Sequence, residues 1–219
     1  MGRPAVSFLS GPLAGRTIRV QLDELQKADL GRKCAVKDRR PLDPPPVVRL
    51  RLFELDNVGT MQETEHELTN LSEPMALGFV CFVDLFPFPG GNDAEPSSDQ
   101  IVAYIEGAPI THGTCCTTAF VGTTFVSVSS FNIRGESILL GVFPDLAVNV
   151  TGKFLTRYRV VSTLHATFEH SRRAVLAECW GGPVVIYPAN MFPGLQESTD
   201  LTKVLETVSV CLEPLIDLP

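Results

Sequence analysis

Short segments in which apolar and polar residues alternate, separated by turns rich in proline and glycine, limit most strongly how this chain can fold. Every second residue is apolar in residues 17–22 and again in 48–52, which indicates strands with one buried face. Residues 77–86 are almost continuously apolar, as in a central strand. The other predicted strands are 101–105, 117–133, 138–143, 146–150, 153–166, 174–180, 184–187 and 207–212, with a turn at 181–183.

One segment has the pattern of a helix. Residues 199–206 place Leu201, Val204 and Leu205 on one face, and Ser198 or Thr199 is the expected cap. These short strands and the one helix predict an all-β fold, an antiparallel β-sandwich with a short C-terminal helix and long loops. The predicted loops are a basic one at 23–46 and two acidic ones at 56–76 and 87–100.

A cationic cluster lies directly before a run of three prolines. Its members are Arg32, Lys33, Lys37, Arg39 and Arg40. The prolines are Pro44, Pro45 and Pro46. Because proline holds an extended backbone and has no N–H to donate, we expect this run to be a stiff structural hinge at the entry to the next strand. Cations on a loop with a rigid base are suited to gripping phosphates.

Two other interpretations of the cluster remain open. Arg39 and Arg40 are also placed to pair with Asp38 and Asp43 as internal braces. Stacking on single-stranded nucleic acid requires exposed aromatic residues among the cations, and Phe53 is the one aromatic residue near the cluster in sequence. Phosphate contact with double-stranded DNA is therefore the better match.

The charge is distributed unevenly along the chain. Residues 1–51 contain 11 Lys/Arg and 5 Asp/Glu, whereas residues 52–133 contain 11 Asp/Glu and no Lys or Arg. The net charge of −7 alone disfavours nucleic acid. The uneven distribution instead predicts a basic face and an acidic face.

The sequence lacks recognisable catalytic or metal-binding motifs. His112, Cys115 and Cys116 have no second pair of ligands, and His165 and His170 are spaced for neither a strand face nor a helix face. No glycine-rich phosphate loop or nucleophile elbow is present. We therefore predict no catalytic residue, no metal and no cofactor. No apolar run approaches the roughly 18 residues of a membrane span, and we expect an intracellular protein without membrane contact.

Three segments, in the same order as in the family, resemble the fungal velvet-domain regulators. Their sequence looks closest to that of the velvet A branch. They are DRRPLDPPPVVRLRLFE at 38–54, GVFPDLAVNVTGKF at 141–154 and PVVIYPANMFPGLQESTDLTKVL at 183–205. The resemblance implies an immunoglobulin-like sandwich similar to the Rel-homology domain, spanning 16–213 between tails at 1–15 and 214–219. The cationic loop corresponds to the family's DNA-contacting loop.

The resemblance also implies a function and partners. We expect a DNA-binding transcriptional regulator of fungal development, sporulation and secondary metabolism, in the nucleus with a cytoplasmic pool. Its expected partners are double-stranded DNA, other velvet proteins as a homo- or heterodimer, and a methyltransferase-like regulator. Residues 207–219 lack the basic residues usual in the family, which predicts weak DNA binding without a partner subunit. The alternatives are a velvet-like scaffolding module that does not bind DNA, and an extracellular sandwich suggested by six cysteines and two sequons.

Overall fold

The computed structural model describes residues 5–34, 38–69, 71–88, 101–163 and 175–211, with the backbone alone for 208–211. The strands are β1 (Ala5–Ser7), β2 (Thr17–Gln26), β3 (Leu30–Arg32), β4 (Val47–Asp56), β5 (Thr64–Glu67), β6 (Phe79–Pro87), β7 (Ile101–Ile105), β8 (Ala108–Thr111), β9 (Phe120–Val121), β10 (Phe125–Ser127), β11 (Ser129–Ile133), β12 (Glu136–Val142), β13 (Ala147–Val148), β14 (Gly152–Ser162) and β15 (Ala177–Tyr187). The helices are α1 (Glu73–Ala76) and α2 (Asp200–Cys211).

Two main sheets form the framework. The first sheet has the order β1-β2-β4-β12-β11, and β5 pairs with the far end of β4. The second sheet has the order β10-β6-β14-β15-β3. The pairs are antiparallel except for β15 and β3, which run parallel. The prediction of an all-β, mainly antiparallel fold with a short C-terminal helix is confirmed.

The core lies where the apolar positions of the two sheets meet. Val48, Leu50 and Leu52 of β4 are fully buried, as their alternation predicts, and they belong to one cluster with Val83 and Tyr158 of the second sheet. Side chains at the intervening positions of β4 point outward. The strand pattern of the sequence therefore identifies the buried face correctly.

Helix α2 packs on the outer face of the first sheet and is longer than predicted. Leu205 is buried against Val47, Phe131 and Leu140. Thr199 is the cap, because its Oγ1 accepts a hydrogen bond from the Thr202 backbone N–H at 3.1 Å. The predicted strand at 207–212 is wrong: the helix continues to Cys211, since no glycine or proline interrupts it before residue 214.

The predicted turn at 181–183 is also wrong, because β15 runs through it as one bulged strand. The register along β14 shifts between Leu155 and Arg157. Glu24 of β2 holds the bulge, accepting the Gly182 backbone N–H at 2.8 Å and the Tyr158 hydroxyl at 3.3 Å. Glycine is favoured at 181, because a Cβ there would collide with the Thr156 hydroxyl and with the Glu24 carboxylate. These glycines permit close approach rather than chain reversal.

Several predicted loops contain regular structure. The basic loop 23–46 includes β3, and the acidic loop 56–76 includes β5 and α1. The predicted strand at 117–133 is divided into β9, β10 and β11, and part of the predicted N-terminal tail forms β1. Residues 89–100 of the second acidic loop and the tail 214–219 lie outside the described residues.

Candidate nucleic-acid interface

The proline run is packed into the body of the protein. Pro44 and Pro46 are buried, and the Asp43–Pro44 peptide bond is cis. The carbonyl of Pro45 accepts from the Gln26 Nε2 at 2.8 Å, and that of Pro46 accepts from the Phe143 backbone N–H at 3.0 Å. These contacts fix the chain where it enters β4. The hinge role of the three prolines stays a prediction.

The base of the cationic loop is closed by backbone hydrogen bonds. The Asp43 N–H donates to the Leu30 carbonyl at 2.8 Å, and the Leu30 N–H donates back to the Asp43 carbonyl at 3.0 Å. The Leu42 N–H donates to the Leu146 carbonyl at 2.7 Å. The bridge and this third bond therefore fix the backbone beside the described cations of the loop.

Four of the five predicted site residues lie in the described part of this loop, and Arg32 and Arg40 share one partner, Asp38. Arg32 ends β3, Lys33 follows it, and Arg39 and Arg40 lie just before the prolines. The side chains of Arg39 and Arg40 are 45% and 50% exposed, whereas that of Arg32 is 20% exposed. Lys37, the fifth predicted residue, lies outside the described residues.

Carboxylates accompany three of these cations. Asp38 contacts Arg32 and lies 3.8 Å from the Arg40 Nε, and Asp145 accepts from the Arg39 Nη2 at 3.2 Å. The pairing of Arg40 with Asp38 agrees with the internal-brace interpretation. Asp43 instead accepts the backbone N–H of Gln196.

The charge balance of this cluster remains positive. Lys33 is exposed and makes no ion pair with any residue that the structure describes. The four described cations of the cluster are accompanied by two paired carboxylates, those of Asp38 and Asp145. Three of the cations are therefore braced rather than free, and the surface carries excess positive charge.

The structure also places apolar residues beside this cluster, which sequence reasoning missed. Tyr187 is in register with Arg32 in the parallel β15–β3 pair, and its carbonyl accepts the Lys33 backbone N–H at 2.8 Å. Its ring contacts that of Phe192, with 6.5 Å between centroids. Residues 155 positions apart meet here only because β3 joins the sheet beside β15, and no local sequence signal indicates that pairing.

A second row of arginines, on the outer face of the first sheet, is neutralised by β5. The Arg51 guanidinium donates twice to Glu67, at 2.8 and 2.5 Å, and Arg19 pairs with Glu65. The hydrogen bonds from Arg51 lower the pKa of Glu67. The sequence-derived division into a basic face and an acidic face is therefore incomplete, because acidic β5 lies against basic β4.

A third set of charges is buried and has a structural role. Asp84 accepts two hydrogen bonds from Arg157, at 3.1 and 2.9 Å, and one from Arg159 at 3.1 Å. The Arg157 guanidinium also stacks near the rings of Phe86 and Trp180, at 5.0 and 5.7 Å from their centroids. This network joins β6 to β14 and is inaccessible to a large partner.

The described residues offer no separate chemical centre. Cys81 is a buried core residue, and burial raises its thiol pKa to about 12. Burial likewise raises the pKa of Cys116 to about 11, which keeps that thiol protonated at neutral pH. Within the described part of the chain, no three His, Cys, Asp or Glu residues form a possible metal site, and no helix is long and apolar enough to cross a membrane.

The fold and the loop together define an all-β sandwich with a braced cationic surface. The family model described as "Velvet factor" matches residues 20–112 and 105–213. A probable velvet family sexual development regulator of Schizophyllum commune is 48% identical over 97% of this chain and 77% of its own length. A similarly described protein of Laccaria bicolor is 39% identical over 93% of this chain and 71% of its own length.

The chain belongs to the velvet family. The developmental and secondary metabolism regulator veA of Penicillium rubens is also similar, with 22% identity over 87% of this chain and 36% of its own length. Identity is thus higher to the two sexual development regulators than to this veA protein.

Proposed function

We propose that this chain is a velvet-type regulator of fungal development that binds double-stranded DNA through the loop carrying Arg32, Lys33, Arg39 and Arg40. The observation that carries the proposal is the convergence of these four cations on a loop whose base is closed by the Leu30–Asp43 bridge. Lys37 belongs to the same loop by sequence. The names of the relatives support a role in development, including secondary metabolism, rather than in catalysis.

Binding proceeds by exchange of carboxylates for phosphates. Arg39 and Asp145 are both partly exposed, and such surface ion pairs contribute about 0–1 kcal/mol. Phosphate oxygens offer the same bidentate acceptor geometry to a guanidinium. Counterion release from the duplex then favours the complex, and an arginine in the major groove can pair with guanine.

The assembly in which this occurs is part of the proposal. We propose a homodimer or a heterodimer with another velvet protein, because one loop presents a small cationic surface. A methyltransferase-like regulator is a further proposed partner. The proposed location is the nucleus, with a cytoplasmic pool.

The decisive experiment measures duplex binding by fluorescence anisotropy across a salt series, with and without a second velvet protein. If four cations contact phosphates, log K against log salt has a slope of about −3.6. Arg39→Ala with Arg40→Ala makes that slope shallower by about 2. Arg16→Ala with Arg134→Gln is the matched control, since it removes the same charge from one partly exposed and one exposed position outside the loop. A slope near zero contradicts DNA binding.

The second candidate is a scaffolding module that dimerises without contacting DNA. The ion pairs of Arg32, Arg39 and Arg40 favour it, since they give these cations an internal role. The same experiment distinguishes the two. A protein that associates with a velvet partner and binds no duplex, alone or in the complex, is a scaffold.

A further inference from the structure

The loop formed by residues 188–199 is attached at both ends to the cationic loop. At its start, the Tyr187 carbonyl accepts the Lys33 N–H at 2.8 Å. Near its end, the Gln196 N–H donates to the Asp43 Oδ2 at 2.7 Å. Asp43 itself closes the base of the cationic loop. The two loops therefore form one surface.

Two large apolar side chains of this loop project into solvent. Met191 is 67% exposed and Leu195 is 64% exposed. Phe192 between them behaves differently, because its ring is partly buried against Tyr187. The contact between the Tyr187 and Phe192 rings holds the loop against β15, while the side chains of Met191 and Leu195 stay outside the core. Exposed apolar residues that the core does not use are candidates for contact with a partner.

The charge around these residues indicates which partner they suit. Residues 183–196 contain no Asp, Glu, Lys or Arg, so they neither repel a polyanion nor attract it. Arg32 and Lys33 lie at one edge of this uncharged surface. At its other end, the Asp43 carboxylate is occupied by the Gln196 N–H, and the exposed Glu197 pairs with Lys203 at 3.2 Å. Two exposed apolar side chains with Arg32 and Lys33 at one edge suit a duplex, whose phosphates flank a groove lined by sugars and base edges.

We propose that Met191 and Leu195 make the apolar contact of the same nucleic-acid interface, entering a groove while the neighbouring cations hold phosphates. Apolar side chains, including Met and Leu, are known to wedge between base steps or contact sugars in grooves. The inference rests on the proposed DNA binding and adds a non-ionic component to it. The loop thereby supplies affinity that does not depend on salt.

Salt dependence separates the two components. The slope of log K against log salt counts phosphate contacts, whereas apolar contacts change the affinity at every salt concentration equally. Met191→Ser with Leu195→Ser should weaken duplex binding about tenfold, equal to 1.4 kcal/mol, with the slope unchanged. Arg39→Ala with Arg40→Ala should change the slope. Val58→Ser with Met61→Ser is the matched control, since it removes two exposed apolar residues from the β4–β5 hairpin.

Each outcome has a defined meaning, provided that urea unfolding confirms that the variants are folded. Wild-type affinity of the Met191/Leu195 variant, together with a shallower slope for the arginine variant, overturns this inference and leaves the proposed function standing. Absence of duplex binding by the wild-type protein overturns both. Loss of dimerisation in gel filtration, with unchanged duplex affinity of the remaining species, assigns the two residues to a protein interface and also overturns the inference.

Discussion

Replacing Asp38 is the most direct test of whether the loop arginines exchange their carboxylate partners for phosphates. Asp38 contacts Arg32 and lies 3.8 Å from Arg40, so one carboxylate serves two cations. Its side chain is about half exposed, so its charge also acts on any phosphate that approaches the loop. In Asp38→Asn, this competing charge is lost, while an amide oxygen remains to accept a hydrogen bond from Arg32.

The expected effect is a modest gain in affinity. Exposed ion pairs contribute about 0.2–1 kcal/mol, and this free energy no longer has to be given up when phosphate binds. Asp38→Asn should therefore bind duplex about two- to fivefold more tightly at low salt. Because the same four cations contact phosphate in this variant, the slope of log K against log salt should stay close to that of the wild type.

Fluorescence anisotropy with one duplex over a salt series measures both quantities. Asp56→Asn is the matched control, because it removes the same charge nine residues beyond Val47, about 30 Å along β4 and beyond the range of screened electrostatics. Weaker binding by Asp38→Asn would mean that Asp38 chiefly organises the loop. Unchanged affinity would mean that Arg32 and Arg40 do not contact the duplex.

Two further predictions concern the charges that hold the sheets together. Asp84→Asn should lower the free energy of unfolding by about 3–5 kcal/mol, because it leaves the buried Arg157 without its counter-ion; a loss below about 1 kcal/mol in urea unfolding would contradict this role. Burial raises the pKa of Glu24 above its usual 4.5. A carboxyl group whose pKa is raised by folding stabilises the folded protein at low pH. This contribution is lost as the pH rises through the folded-state pKa. Glu24→Gln should therefore gain stability relative to wild type between about pH 4 and pH 8 in urea unfolding, and the opposite trend would contradict the burial effect.

The strands predicted correctly are those that local alternation defines. β2 begins at the predicted residue and β4 one residue before its predicted start, because one buried and one exposed face require a period of two. β7 matches its prediction at both ends. The bulge in β15 was missed because its cause, the Glu24 carboxylate, lies far away in the chain. The extension of α2 was missed because Val208 and Val210 alternate as in a strand. Packing of the helix on the first sheet overrides that local preference.

The cationic loop shows the same division between local and distant information. Its residues and its proline base are visible in the sequence, as is Asp38, because all lie within a short segment. Asp145 and Tyr187 cannot be identified as part of the site from the sequence. Asp145 lies in the turn after β12 and Tyr187 at the end of β15, and both reach the loop only in the folded protein. The sequence therefore predicts where charge is concentrated but not which side chains brace it.

Exposure decides which arginines of this protein are able to exchange partners. Arg157 and Asp84 are 8% and 10% exposed, so their pair is fixed by the surrounding sheet and separating them leaves a buried charge. Arg39 and Asp145 are 45% and 37% exposed, so water already competes for both groups and a phosphate replaces the carboxylate at little cost. Intramolecular ion pairs at the loop are thus compatible with DNA binding, because they hold the guanidinium groups in position without removing them from solvent.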